Sequence, residues 1–549
     1  MDNVRIILWG LFATLLFLTW QQWSLDYAPV VMPATESPVA DPGIAPPASS
    51  PIGDSSADPN LPSITAPTAT AAAEPAPAAN NIVVETDVLR VEISRQGGGL
   101  VLAELLEYPR SKDAPDVPVQ LLTQDPADFY VVESGLVDAA QGGPTHIAPL
   151  SSPADRYTLA AGQSEITVPL SWSADGVSVT KTYVFRRGSY EIDLDYAVSN
   201  QSASPWRGLS YLQIRRVYSP PERSMFDVDS YSFVGPVFYD GNSYDKLDPD
   251  DLADDPLDEK LAGGWIASIQ HHFLAAAVPP PDTTYRYNAT YNKGIFNVRA
   301  SGATLTIPPG ASERIQSRLF VGPKLQEQLE ATAPELALTV DYGKLTLLAQ
   351  PLFWLLQQVY NLVGNWGWTI ILVTFMIKAA FYKLTETSGR SMAKMRKLQP
   401  RLKALQDRYK DDRQQLSQKM MELYKTEKVN PAAGCLPMLI QIPFFIAFYW
   451  VLLESVEMRQ APFALWITDL SSRDPFFVLP LLMGVAMFVQ QKLNPAPPDP
   501  IQAKVMSILP VMFTGFFAFF PAGLVLYWLT NSVLSVLQQW NINRKMAVD

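Results

Sequence analysis

RSMAKMRKLQPRLKALQDRYKDDRQQLSQKMMELYKTEK, residues 390–428, carries twelve Lys or Arg and five Asp or Glu. It lies between two strongly apolar segments, 366–382 and 435–453. Lys and Arg concentrate in the cytoplasmic loops of membrane proteins when the loop is short and close to a span, so this block orients every apolar segment around it. Charge along the rest of the chain agrees: residues 6–345 hold 21 cations against 41 anions, whereas residues 346–549 hold 20 against 12. The formal net charge of −12 therefore averages two objects of opposite sign that face different compartments.

A composition that is 48% hydrophobic over 549 residues fits a large soluble core or a membrane protein, and the apolar runs decide for the membrane. The first run, 4–20, has only Arg5 and the amino terminus as positive charges, which a secretory signal would also show. Trp20, Gln21, Gln22 and Trp23 make a poor small-residue cleavage site and a good interfacial anchor, so residues 1–24 are expected to be an uncleaved span with the N-terminus inside. Residues 28–79 contain twelve prolines among Ala, Ser and Thr, with almost nothing large to bury. Such a segment cannot offset its chain entropy, so 25–80 is expected to be a partly stiff tether.

Beyond it, alternation sets in. Leu89, Val91 and Ile93 alternate with Arg90, Glu92 and Ser94, and Tyr190, Ile192, Leu194, Tyr196 and Val198 alternate with Glu191, Asp193, Asp195 and Ala197. Period two means strands with one face buried and one wet, punctuated here by Gly- and Pro-rich breaks at 97–99, 220–221, 279–281 and 308–310. A large all-β sandwich is expected over 81–340. His146, His271 and His272 are the only histidines and Cys435 the only cysteine, so a Cys/His zinc cluster is excluded. Adjacent strand residues point to opposite faces, which separates His271 from His272. The six Asp in 245–255 lack the spacing of an EF-hand and read as a solvated acidic loop. Serine-hydrolase, zinc-protease and P-loop signatures are absent, and no cofactor is expected.

Residues 341–363 hold Leu348, Leu352, Leu355, Leu356, Val359 and Leu362 at helical spacing, the pattern of an amphipathic helix lying in the membrane plane. The core, 364–549, contains apolar runs at 366–382, 435–453, 476–489, 505–520 and 522–537. With the anchor they make six transmembrane helices, and even parity puts both termini inside. Lys492 and Lys504 flank an inner loop and Arg544 and Lys545 close the tail, whereas the outer loop 457–474 has two cations and three anions. Several runs have only 14 to 17 residues, against the roughly 20 that cross a bilayer, which implies thinning or water in the bundle. Polar residues inside the runs agree: Thr374 and Lys378 share a helix face, Gln441 lies in a second run, and Tyr527, Asn531 and Ser535 share a face of the last. Lys378 persists in an apolar run by snorkelling towards Lys383 or by sitting in a hydrated cavity, and physics alone leaves both open. In the basic loop, Met395, Leu398, Leu402, Leu405 and Tyr409 are spaced by three and four, and Leu416, Met420 and Leu423 repeat the seam, so 388–428 is expected to be an antiparallel helical hairpin in the cytoplasm. Its charges are a solvated face or a lipid or ribosome site, and either way they are drawn to anionic lipid.

Specific motifs run through the chain: QPLF at 350–353, GNWG at 364–367, SMAKM at 391–395, LQP at 398–400, KVNP at 428–431, GCLP at 434–437, QIP at 441–443, QAPF at 460–463 and FPAGLVLYW at 520–528. They resemble the YidC/Oxa/Alb membrane protein insertases, in their Gram-negative form, over the entire chain. The resemblance implies an energy-independent insertase and chaperone of the inner membrane, working alone or beside the Sec translocon. It also implies a periplasmic sandwich of the sugar-mutarotase type and a hydrophilic groove open to cytoplasm and lipid. On the same footing the groove cation falls on Lys378, where Arg is usual; Thr374, Gln441 and Trp528 match other groove positions, and Phe445 matches the apolar substrate track. Implied partners are nascent integral membrane proteins, the Sec translocon and anionic lipids, with no sequence-specific nucleic acid. The chain ends four residues past Lys545, so any ribosome contact is expected through the inner loops. Two other classes stand beside this one. A secondary transporter would show internal repeats, and none is found among the runs. An envelope sugar-binding or sugar-modifying protein would line a sheet concavity with carboxylates or histidines.

Overall fold

The computed structural model describes residues 81–138, 143–220, 232–409, 412–427, 436–493 and 500–548. The anchor expected at 1–24, the tether at 25–80, the KVNP motif and the first two residues of GCLP lie outside them.

From Ile82 to Pro323 the described chain forms two sheets, one of eleven strands and one of eight. Pairing is antiparallel except where Ile82–Glu85 meets Arg156–Thr158. Strand Glu191–Asn200 shows the cause: Ile192, Leu194, Tyr196 and Val198 are buried while Glu191, Asp193 and Asp195 keep solvent. Leu89–Ile93 repeats the pattern. The two inner faces share one core and are stitched by hydrogen bonds, with Tyr130 donating to the carbonyl of Ser268 at 2.9 Å and Tyr196 to Oγ of Ser134 at 2.9 Å. The result is a large β-sandwich. Gly97 turns the chain at φ +73°, and a Cβ there would lie 1.9 Å from the carbonyl oxygen of His146, so only glycine fits.

Two local expectations change. His271 and His272 stand in the tight connection between strands Trp265–Ile269 and Phe273–Val278, not within a strand. The bend releases them from strand alternation, and their rings stack at 3.8 Å. Part of the acidic segment 245–255 is a short helix, Pro249–Asp254, because Asp248 caps it and proline at its first position is preset for helix.

Eight helices are numbered here in chain order from residue 346. They are α1 (Thr346–Val363), α2 (Trp366–Ala380), α3 (Tyr382–Arg408), α4 (Arg413–Thr426), α5 (Leu436–Glu454), α6 (Val478–Leu493), α7 (Pro500–Phe517) and α8 (Ala522–Val548). In α1 the buried face is Ala349, Leu352, Phe353, Leu356 and Val359; Leu362, expected on that face, is 87% exposed. Gly364 ends α1 in the left-handed conformation, and Asn365 caps α2 by accepting from the amide of Trp368. Among the described residues no single helix is long and apolar enough to cross a membrane; the pair α2 and the first part of α3, bent by 64° at Phe381, passes that test together. Leu398 and Leu402 of α3 pack on Met420, Leu423 and Tyr424 of α4, forming a helical hairpin.

The sandwich rests on the segment between α5 and α6. Arg459 donates to the carbonyl of Pro109 at 2.9 Å, Lys112 pairs with Asp469 at 3.1 Å, and Tyr342 and Ser455 share a hydrogen bond at 3.2 Å.

Candidate functional site

Three helices converge where polar residues were expected. α2 is held at its start by Gly367, which lies so close to Phe463 that a Cβ would clash with the ring. α8 is held at its start by the amides of Ala522 and Gly523, which donate to the carbonyls of Ser472 and Leu470 at 2.7 and 2.8 Å. Anchored in this way, α2, α5 and α8 frame a small, partly open cavity with room for about one water molecule, about 10 Å³, lined by Thr374, Ile377, Lys378, Phe381, Gln441, Phe444, Tyr527 and Asn531. Thr374, Lys378 and Gln441, singled out from sequence, therefore meet in one place. Asn531 and Tyr527 join them from a face already marked as polar.

Lys378 is only 9% exposed. Its ammonium turns sideways across the bundle and donates to Oγ of Ser535 on α8 at 2.7 Å. No carboxylate among the described residues stands within ion-pair distance. The Thr374 hydroxyl donates to the carbonyl of Ile370 at 2.6 Å, leaving its lone pairs free for the cavity side. An ammonium taken out of water beside a neutral partner is expensive, which makes the cavity attractive to water and to anionic groups.

Phe445 and Trp528 do not line the cavity. They meet each other edge-to-face at 4.6 Å in an aromatic cluster that also holds Tyr527, Phe513 and Phe517. This cluster forms an apolar wall beside the polar space, with Tyr527 common to both.

A second polar group lies on the sandwich. Glu133 accepts from Gln213 and pairs with Arg215 at 3.6 Å, Gln213 accepts from Arg299 at 2.6 Å, and Nδ1 of His146 meets the Tyr211 hydroxyl at 2.6 Å. These side chains satisfy one another. Among the described residues no group of three His, Cys, Asp or Glu is placed to hold a metal ion. Sequence reasoning missed Lys181, which projects into the sandwich core; its inward position in the alternation of Val177, Val179, Tyr183 and Phe185 was the available signal.

Comparison with known proteins covers the whole chain. A family model described as the YidC periplasmic domain matches residues 81–355, and one described as 60Kd inner membrane protein matches 358–549. Proteins named membrane protein insertase YidC are similar throughout. The one from Nitrosococcus oceani is 49% identical and the one from Thioalkalivibrio sulfidiphilus 50%, each over 100% of this chain and 99% of the relative. The crystal structure of an active YidC insertase with its first transmembrane domain resolved aligns with a TM-score of 0.38 at 19% identity, covering 84% of this chain and 92% of the other. A galactose mutarotase related enzyme from Lactobacillus acidophilus aligns over 44% of this chain and 97% of its own, with a TM-score of 0.31 and 10% identity.

Proposed function

Because the chain belongs to the YidC family of membrane protein insertases, we propose that the cavity between α2, α5 and α8 receives the polar flank of a client as its apolar segment enters the lipid. The protein is an insertase and chaperone of the inner membrane with a periplasmic domain, its clients are nascent membrane proteins, and it is not an enzyme.

Finer points belong to the proposal. The chain crosses the membrane six times with both termini in the cytoplasm, and the α3–α4 hairpin is cytoplasmic, because twelve cations between two apolar runs cannot be translocated cheaply. The tether, sandwich, α1 and five-helix core divide the chain as the sequence suggests, at about residues 25, 81, 341 and 364. α1 lies along the outer interface. The insertase acts alone or beside the Sec translocon, and its basic hairpin meets anionic lipid and, through the inner loops, the ribosome. Thr374 and Gln441 supply hydrogen bonds in the groove, and Phe445 and Trp528 form the apolar track along which the client's span slides.

One observation carries this reading: Lys378 is a buried cation whose partner among the described residues is a neutral hydroxyl. At about 6 Å and an effective dielectric constant near 20, its attraction for a carboxylate is roughly 3 kcal/mol before desolvation, enough to draw an acidic flank out of bulk water. The client's span then partitions by its own hydrophobic free energy, with no nucleotide needed. The test is a series at position 378 with matched expression. Lys378→Arg should retain activity, Lys378→Gln should be impaired, and Lys378→Glu should be worst, most of all for clients with acidic flanks. Equal insertion of acidic-flank and neutral-flank clients by Lys378→Gln would remove the electrostatic role.

A further inference from the structure

Ser535 is not in the cavity wall, yet it decides where the charge stands. Tyr527, Asn531 and Ser535 follow one another at four-residue steps on one face of α8. A serine hydroxyl has one hydrogen, and Ser535 donates it to the carbonyl of Asn531 at 2.7 Å. What remains towards α2 is a pair of acceptor sites, and the Lys378 ammonium fills one at 2.7 Å.

We propose that Ser535 is a positioning residue for Lys378, holding its ammonium against the groove so that it meets the carboxylates of a client's flank. This rests on the reading of Lys378 as the groove charge. The chemistry of the pair fits the task. A lysine stem has four flexible carbons and, unlike the fork of an arginine, nothing in it fixes the position of the charge. Left alone, it relaxes towards the interface. A carboxylate at 535 would fix the ammonium and cancel its charge, and an apolar side chain would release it. A hydroxyl whose hydrogen is already committed orients the ammonium and leaves its charge intact. Its grip is also weaker than that of an ionised acceptor, so an incoming carboxylate takes over donors that the serine has aligned.

A structural alternative is that the contact only ties α2 to α8, much as Gln538 ties α8 to the start of α3 by donating to the carbonyl of Tyr382 at 3.3 Å. The experiment separates the two. Full-length protein would be assayed for the initial rate of insertion of two single-span clients that differ only in the translocated flank, two Asp in one and two Asn in the other. Ser535→Ala should slow the acidic client about five- to tenfold and the neutral one less than twofold, the loss expected for one hydrogen bond of ordinary net strength. Ser535→Thr should restore the acidic client. Thr and Val share a shape and differ in the hydroxyl, so the Ser535→Thr to Ser535→Val ratio gives the same answer should the alanine variant accumulate poorly. Adding Ser535→Ala to Lys378→Gln should change nothing further. Equal slowing of both clients, or no effect on either, while Lys378→Gln stays selective for the acidic flank, would overturn the role of Ser535 alone. Loss of flank selectivity in the Lys378→Gln series would overturn the underlying reading of the groove.

Discussion

Lys181 and Lys378 are both buried amines, and their surroundings set them different tasks. Lys181, 2% exposed, donates to the carbonyls of Gly97, Gly98 and Ser134 at 3.0, 2.8 and 3.2 Å, and fixes the 97–99 turn against the sheet. Burial, partly offset by Glu133, pushes its pKa down to about 7. The sign of the linkage follows. Between about pH 7 and the ordinary lysine value the unfolded chain holds a proton that the folded domain has released, so this residue makes the sandwich more stable as pH rises through that window. Thermal unfolding of the sandwich should therefore show a melting temperature that climbs with pH relative to a Lys181→Met variant, and parallel curves from pH 7 to 10 would contradict this. The two lysines also mark what one sequence reveals at this scale. Lys378 stands out because a charge in an apolar run is an anomaly, and Thr374 four residues earlier shares its face. The partner of Lys378 is 157 residues away, and no spacing rule reaches that far.

At the scale of elements, periodicity was legible and interruption was not. Strand alternation over Leu89–Ile93 and Glu191–Asn200 and the Met395, Leu398, Leu402 seam are local patterns, and the structure places these side chains where the patterns require. The run 366–382 reads as one span, yet α2 ends at Ala380 and the chain turns by 64° into α3. That turn is set by packing: Phe381 meets Phe444 of α5 at 5.3 Å, and Gln538 of α8 donates to the carbonyl of Tyr382 just beyond the break. Neither partner is near in sequence. Beyond the turn α3 runs against α8, with Gly389 close to Ile542, and carries its cations into the hairpin, which yields a direct test of sidedness. Single cysteines at the exposed positions Lys394, Arg401 and Lys419 should stay unlabelled by an impermeant maleimide in spheroplasts, whereas cysteines at Asp250 or Leu465 should be labelled. Asp469 is unsuitable, because it is buried and paired with Lys112. Labelling of the hairpin from outside would invert the topology.

Across the whole molecule, opposite charge in the two halves announced two compartments, but nothing in the sequence announced how the halves hold each other. The contact buries ionisable groups from both sides: His271, His272 and Lys324 from the sandwich face Glu454, Glu457 and Arg459 from the end of α5 and the turn after it, with Tyr108 and Tyr342 between. Nε2 of His271 meets the carbonyl of Leu453 at 3.0 Å, and Ser232 donates to Glu454 at 3.1 Å. Burial lowers the pKa of both histidines and brings that of Lys324 down to about 8. The same burial raises Glu457 to about 7, and one of its carboxyl oxygens, Oε2, has no partner among the described residues. The docked form thus favours a neutral Glu457. A carboxyl whose pKa is raised on docking adds stability that is complete below its ordinary value near 4.5 and is lost as pH rises through about 7, while the histidines act in the opposite sense, weakening docking as pH falls below about 6.5. Glu457→Gln isolates the first effect, since glutamine keeps the shape and cannot ionise. Hydrogen exchange over residues 455–461 of the full-length protein in detergent should be the same for the two forms near pH 4.5. At pH 7.5 it should be slower in the variant, with the gap opening between those limits and the histidine limb present in both. A variant that exchanges faster than the parent at pH 7.5 would mean that Glu457 docks as a carboxylate, and the sandwich would then be held to the membrane core by an ion pair.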